Sequence, residues 1–188
     1  MSQPELAAAP AAEPEIIIET RDLSRIYPGV VALDNVNYRV WRNKVNVLIG
    51  ENGAGKSTMM KMLAGVETPS SGQILLNGQP ITLNSTHQAE KHGISIIFQE
   101  LNLFPNMNVM DNIFIANEFF QKGKINEKYQ YQLAKTLLER LELDVDPYTA
   151  LDELGIGHQQ LVEIARALSK DTRVLIMDEP TSALSQSE

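Results

Sequence analysis

Cysteine is absent from the 188 residues. That excludes disulfides, thiolate metal ligands and thiol nucleophiles, and it fits a reducing compartment. No apolar run approaches the ~18 residues that a membrane-crossing helix requires. The longest, such as Val174-Leu175-Ile176-Met177, are strand-sized. The N-terminus lacks the basic start and apolar middle of a signal peptide. Basic side chains are also in deficit, 16 Lys and Arg against 24 Asp and Glu, for a net charge of −8. The bulk charge therefore offers no footprint for nucleic acid or anionic lipid. Internal repeats are missing too. What remains is a chain with 43% apolar residues, long enough for one domain with a core of its own.

Met1 to Pro14 is rich in Ala, Pro and Glu, and its composition predicts a flexible acidic tail. Ordered structure is expected from Ile16-Ile17-Ile18, a β-branched run. Val36, Tyr38 and Val40 alternate with polar residues, as in a half-buried strand, while Val45 to Ile49 is dense enough in apolar residues to predict a buried one. Asn77-Gly78 predicts a hairpin turn between Gln73–Leu76 and the segment around Ile81. Ser85 is placed to cap a short helix over Thr86–His92 that Gly93 ends, and Ile94 to Phe98 reads as another buried strand. From Gln99 to Leu154 the chain becomes mostly helical. Ala134, Leu137, Leu138 and Leu141 form one helix face with Asn126 as its N-cap. Leu161, Ile164, Ala165 and Leu168 form a second face, and Val174 to Met177 returns to strand. The pattern is an α/β core interrupted by a helical insertion.

The chemistry is concentrated at Gly50-Glu51-Asn52-Gly53-Ala54-Gly55-Lys56-Ser57-Thr58. This stretch matches the pattern G-x-x-x-x-G-K-S/T in its required place, after a predicted strand and before a helix. Gly50, Gly53 and Gly55 are expected to give backbone angles that a Cβ would forbid, so that successive N–H groups converge on phosphate oxygens. A helix starting near Ser57 adds its positive dipole end. Lys56 supplies a cation to the β- and γ-phosphates, and the Ser57 hydroxyl can ligate Mg²⁺. The pattern predicts nucleotide binding.

The apolar strand Val174–Met177 runs into Asp178-Glu179. Ligands gather at the carboxyl ends of parallel strands, which is also where a phosphate loop sits. Asp178 is thereby placed to hold Mg²⁺, mostly through water, and Glu179 to orient or deprotonate an attacking water. Other signals carry less. Met59, Met60 and Met62 are expected to fill core, His87 and His92 to lie on the surface, and Trp41 to pack at a strand end.

Further motifs add a resemblance. Gln99 directly follows a predicted strand. Leu154-Gly155-Ile156-Gly157-His158-Gln159-Gln160 opens a helix, and Asp178-Glu179-Pro180-Thr181-Ser182-Ala183-Leu184-Ser185 closes the series. In this order the motifs resemble the ATP-binding subunit of an ABC transporter. Tyr27-Pro28-Gly29-Val30-Val31-Ala32-Leu33, Phe98-Gln99-Glu100-Leu101 and Asn106-Met107-Asn108-Val109 resemble the branch that energises bacterial monosaccharide import. The resemblance implies a P-loop NTPase core: a mixed sheet with N-terminal antiparallel strands, a parallel core and a helical subdomain insertion. It divides residues 15–188 into a core, 15–98 and 169–188, and a helical subdomain of about 99–168. By the same resemblance Tyr27 stacks on adenine, although a packing role at the rim remains open for it. Gln99 ligates Mg²⁺ and senses the γ-phosphate, and Leu154 to His158 form the signature that contacts ATP held by a partner domain. Lys56 and Glu179 carry the hydrolysis. The implied cofactors are ATP and Mg²⁺. The implied partners are a second nucleotide-binding domain, membrane permease subunits and, indirectly, a periplasmic sugar-binding protein, with no nucleic acid. The implied place is the cytoplasmic face of a bacterial inner membrane.

The chain departs from that pattern at three points. Gly155 stands where the family has Ser, and His158 where it has Gln. Losing a hydroxyl removes one charge-assisted hydrogen bond, worth about 1.5–3 kcal/mol, or roughly ten- to a hundred-fold in the closed state. The third departure is that His87, His92 and His158 all precede Asp178, so none matches the family's γ-phosphate histidine. The expectation is a first domain that is incomplete at its C-terminus. In an assembled transporter it would couple MgATP hydrolysis to import of a small sugar or polyol, and alone it would turn over poorly. The alternatives are a non-catalytic nucleotide-binding fragment and a non-transport ABC ATPase.

Overall fold

The computed structural model describes residues 15–178. The predicted tail and Glu179, with the residues that follow it, lie outside the described residues. Chain contacts divide the molecule into two units. Of the described residues, 15–56 together with 69–82 form one, and 57–68 together with 83–178 form the other.

The first unit is a four-stranded antiparallel sheet. β1 (Ile16–Tyr27) and β2 (Val30–Trp41) pair from Tyr27↔Val30 back to Ile16↔Trp41. β1 also pairs with β3 (Ser71–Leu76), and β3 with the short β4 (Gln79–Ile81), giving the order β2-β1-β3-β4. Val36, Tyr38 and Val40 are half-buried between exposed neighbours, the alternation expected of them. The predicted hairpin at Asn77-Gly78 forms with φ of 49° and 77°, so both turn residues adopt the left-handed conformation that a two-residue hairpin demands. Ile18, Leu23, Ile74 and Leu75 are buried in this unit.

Val45 to Ile49 does not form the buried strand its apolar density predicted. It pairs with no strand among the described residues, and Val45, Val47 and Ile49 are exposed by 94%, 67% and 86%. Asn46 folds back on the end of β2. Its Oδ1 accepts from the Trp41 N–H at 3.0 Å, and its Nδ2 donates to the Trp41 and Lys44 carbonyls at 3.0 and 3.1 Å. Apolar side chains favour a strand, but a strand exists only where a ladder partner supplies hydrogen bonds.

In the second unit, β5 (Ile94–Ile97) and β8 (Val174–Met177) form a parallel pair in the register Ile94↔Val174 to Ile97↔Met177. Helix α1 (Lys56–Leu63) buries Met59 and Met62, while Met60 is only half-buried. Helix α2 (Thr86–Lys91) starts at the predicted cap, with Ser85 Oγ accepting from the Gln88 N–H at 3.2 Å. Gly93 ends it at a φ of 76°.

Between β5 and β8 lie α3 (Val109–Phe114), the two-residue strands β6 (Phe120–Gln121) and β7 (Lys124–Ile125), α4 (Glu127–Arg140), a 3₁₀ turn at Leu151–Glu153 and α5 (Ile156–Leu168). The β6–β7 ribbon is an addition to the helical character expected there. Asn126 caps α4 as predicted, accepting from the Tyr129 N–H. Ala134, Leu137 and Leu138 join Val109, Met110, Ile113, Phe114, Val162 and Ala165 in one buried cluster. On α5 the expected face is shifted. Leu161 and Leu168 only border the cluster, whereas Val162 and Ala165 are in it, and Glu163 is buried beside them. Asn112, fully buried, organises the loop before α3. Its Oδ1 accepts from the Phe104 N–H at 2.7 Å, and its Nδ2 donates to the Phe104 and Asn108 carbonyls at 3.0 and 2.9 Å.

Candidate functional site

The phosphate loop runs exposed from Gly50 to Ala54 and turns into α1 at Lys56. Gly53 and Gly55 take φ of 83° and 86°. Gly50 does not, so only two of the three glycines expected to supply forbidden angles do so. At Gly50 a side chain would meet the Ala54 Cβ at 3.3 Å, a matter of space alone. Gly55 is constrained twice, because a Cβ there would sit 2.5 Å from the Ala32 carbonyl oxygen and 2.6 Å from Leu33 Cδ2. β2 passes so close under the loop that only glycine fits. Lys56 Nζ donates to the Gly50 and Glu51 carbonyls at 2.8 and 2.9 Å, and the Ala54 N–H donates to Glu51 at 3.1 Å. The lysine spans its own loop and closes it into a ring. Two carbonyls hold its ammonium where a better acceptor, a phosphate oxygen, can take over.

Ser57, one residue further on, meets the end of β8. Its Oγ donates to Asp178 Oδ1 at 3.3 Å, joining residues 121 apart in sequence. Asp178 is fixed by its own N–H, which donates to the Ile97 carbonyl at 3.0 Å and extends the β5–β8 ladder by one bond. Asp178 and Gln99 line one open cleft of about 410 Å³ together with Lys61, Phe98, Glu100 and Asn102. The structure therefore gathers Ser57, Asp178 and Gln99 on one side of the second unit. A hydroxyl, a carboxylate and an amide oxygen are hard donors of the kind Mg²⁺ takes alongside phosphate and water. Among the described residues no cluster of three acidic or imidazole side chains offers an all-protein metal cage. His87 and His92 are exposed, and Glu179 lies outside the described residues.

Tyr27 ends β1 half-buried, with the Arg25 guanidinium carbon 4.7 Å from its ring centroid. Leu154 to His158 lead into α5. Gly155 is the N-cap residue, at φ −62° and ψ 158°, with no side-chain cap bond and nothing within 4 Å of where a Cβ would stand. Gly155, Ile156 and His158 are exposed, whereas Gly157 is buried. Gln159 anchors the segment, its Nε2 donating to the Leu151 and Leu154 carbonyls at 3.2 and 2.9 Å.

Sequence reasoning missed Asn102, Asn112, Glu163 and Arg166. Glu163 interrupts the apolar run Leu161-Val162-Glu163-Ile164-Ala165, the one signal that could have drawn attention to it. Burial pushes its carboxyl above the usual carboxylate range, against the opposing pull of the Asn102 N–H and of Arg166.

Comparison with known proteins bears on the family and the fold. Residues 33–182 match the family model described as "ABC transporter". The chain is 49% identical over 176 residues to the xylose import ATP-binding protein XylG of Thermoanaerobacter pseudethanolicus, covering 93% of this chain and 35% of that protein. It is 46% identical over 175 residues to the ribose import ATP-binding protein RbsA of Rhodopirellula baltica, and 46% over 176 residues to the L-arabinose transport ATP-binding protein AraG of Geobacillus stearothermophilus. Each of these two alignments covers 93% of this chain and 34% of the relative. The chain thus spans about a third of the curated relatives it matches. Among solved structures, cbiO1 from Clostridium perfringens, part of the transporter complex cbiONQ, superposes with a TM-score of 0.76 at 29% identity, covering 91% of this chain and 68% of that one. The ADP conformation of an ATP-binding cassette of an ABC transporter gives 0.76 at 26% identity, covering 90% and 71%. The fold is that of a P-loop NTPase, and the chain belongs to the ABC transporter family as one of its ATP-binding domains.

Proposed function

We propose that the chain binds MgATP and, within an assembled transporter, hydrolyses it to ADP and phosphate to drive import of a small sugar or polyol. The observation that carries the reading is the 3.3 Å contact between Ser57 and Asp178. It brings the residue after the phosphate-loop lysine to the carboxyl end of a parallel strand, where the chemistry of this loop requires a carboxylate. The xylose, ribose and arabinose import functions in the relatives' names support the sugar.

Each residue has a task set by its chemistry. Lys56 exchanges its two carbonyl partners for β- and γ-phosphate oxygens, opening the ring described above. The main-chain N–H groups of Gly53 and Gly55 are donors for the same charge. Ser57, Asp178 and Gln99 would hold Mg²⁺, which when bound neutralises charge on the phosphates. Glu179 orients or deprotonates the attacking water, and Tyr27 offers a π face to adenine. The start of α5 presents N–H groups and a positive dipole end to the γ-phosphate held by a second nucleotide-binding domain. No helix among the described residues is long and apolar enough to cross a membrane, so the reading assigns passage of the sugar to permease subunits and its capture to a periplasmic binding protein. ATP holds two such domains together, and hydrolysis releases them at the cytoplasmic face.

Titration of MgATP into the purified protein tests the site. Lys56→Ala should abolish binding, and unchanged affinity would refute the assignment. A second reading, binding without turnover, draws on Gly155, which leaves α5 without a side-chain cap. Turnover by the assembled transporter that Lys56→Ala eliminates would exclude it.

A further inference from the structure

The segment that leaves β5 through Gln99 is held to α5 at a single residue. The Asn102 N–H donates to Glu163 Oε1 at 3.3 Å, and Arg166 Nη1 donates to the Asn102 carbonyl at 2.8 Å. Glu163 and Arg166 are three residues apart on α5, so they share a face and reach one neighbour together. An anion takes the donor of Asn102 and a cation takes its acceptor, a pairing that fixes the orientation of that residue as well as its position.

Glu163 is held at a cost. It is only 7% exposed, and its second oxygen, Oε2, is buried with no hydrogen-bond partner. It borders a cavity of about 170 Å³ whose walls include Ser95, Phe98 and Asn102. The charged groups facing this cavity are Arg166 on the same helix, Glu90 on α2 and Lys170 after α5, the last two paired with each other. A buried carboxylate that is half unsatisfied destabilises the fold through its charge as well as its missing bond, whereas a glutamine of the same shape has no charge to desolvate. Packing alone therefore does not account for a carboxylate here.

We propose that Glu163 and Arg166 are positioning residues that lock the loop carrying Gln99 to helix α5, so that displacement of Gln99 by a γ-phosphate is relayed to the segment Leu154 to His158 at the start of that helix. This rests on the function proposed above. The clamp is strongest while Glu163 is ionised, because a charged acceptor binds the Asn102 N–H more tightly than a neutral one and attracts Arg166. Protonation loosens it. Burial brings that protonation nearer to neutral pH than an exposed glutamate would allow.

The test uses the full-length protein assembled with its membrane subunits, comparing wild type with Glu163→Gln, Arg166→Ala and Lys56→Ala. Glu163→Gln should leave the Kd for MgATP within about twofold of wild type and lower kcat about fivefold, the difference between a charged and a neutral acceptor. It should also remove the acidic limb of the kcat profile that Glu163 contributes, and leave Tm at pH 7.5 equal or higher. Arg166→Ala should lower kcat while preserving Kd. A Glu163→Gln variant with wild-type kcat and pH profile would overturn the clamp, as would a kcat loss accompanied by a lower Tm, which marks a merely structural role. If the wild type shows no ATP hydrolysis sensitive to Lys56→Ala, the proposed function itself falls.

Discussion

Gly55→Ala and Gly53→Ala form a matched pair whose difference isolates one contact. Both glycines hold nearly the same backbone angle, φ of 86° and 83°. Placing alanine in that left-handed region costs about 1–2 kcal/mol at either site. At Gly53 nothing lies within 4 Å of the new methyl, so that cost is the whole effect. At Gly55 the methyl would stand 2.5 Å from the Ala32 carbonyl oxygen and 2.6 Å from Leu33 Cδ2. Leu33 is buried and Ala32 is main chain within β2, so neither can swing aside as an exposed side chain would. Forcing a methyl into such a place costs about 1–3 kcal/mol more. The strain has two outlets. If the loop keeps its shape, stability falls; if it moves away from β2, its N–H groups leave the phosphates and affinity falls by tenfold per ~1.4 kcal/mol. Urea unfolding without nucleotide and calorimetric titration with MgATP measure the two losses. Their sum should be greater for Gly55→Ala than for Gly53→Ala by about 1–3 kcal/mol. Agreement of the two variants within about 0.5 kcal/mol in both assays would refute the reasoning.

Gly155→Ser should be accommodated without strain, since φ is −62° and the space around a Cβ is empty; it should add a few tenths of a kcal/mol to stability through the vacant cap. Turnover of the assembled transporter should rise, and no gain, or a loss, would show that the hydroxyl is not what this signature lacks. Asn112→Leu leaves the Phe104 N–H without its acceptor, while the Phe104 and Asn108 carbonyls keep the N–H groups of residues 107 and 112, and thermal unfolding should register a loss of about 1–3 kcal/mol, or roughly 2–12 °C. A change under one degree would mean that the loop satisfies that group otherwise. Glu163 gives a pH dependence of stability. Its folded carboxyl is raised above the unfolded value near 4.5, so its favourable contribution is fully present below that value and is lost as pH climbs through the raised one. The stability of Glu163→Gln relative to wild type should therefore start level in acid and rise toward neutrality. A flat difference across that range would contradict the burial argument.

Local signals in the sequence were read correctly where the chemistry is local. Ser85 and Asn126 cap helices because a side-chain oxygen reaches N–H groups two or three residues on, a geometry internal to one turn. Asn77-Gly78 makes its hairpin because those residues tolerate positive φ wherever they occur. On α5, by contrast, periodicity identified an apolar stripe but placed it off centre. The boundary between buried and half-buried depends on which helices pack against it, and that put Val162 and Glu163 inside. Val45 to Ile49 is the largest departure, since no property of those five residues states whether a neighbouring strand exists.

The residues alone determined the kind of chemistry. Glycine, lysine and hydroxyl in fixed spacing make a phosphate cradle through backbone freedom and point charge, both carried by the segment itself. A strand ending in carboxylates offers, by composition, the kind of oxygens that a cation takes. The tertiary structure decided which of these groups meet. Ser57 reaches Asp178 across 121 residues because parallel pairing of β5 with β8 sets the height at which Asp178 emerges. Gly55 is irreplaceable because β2 passes beneath it, and Glu163 faces Asn102 because α5 docks beside the loop after β5. Each is a non-local contact, set by the packing of elements that the chain order alone does not bring together.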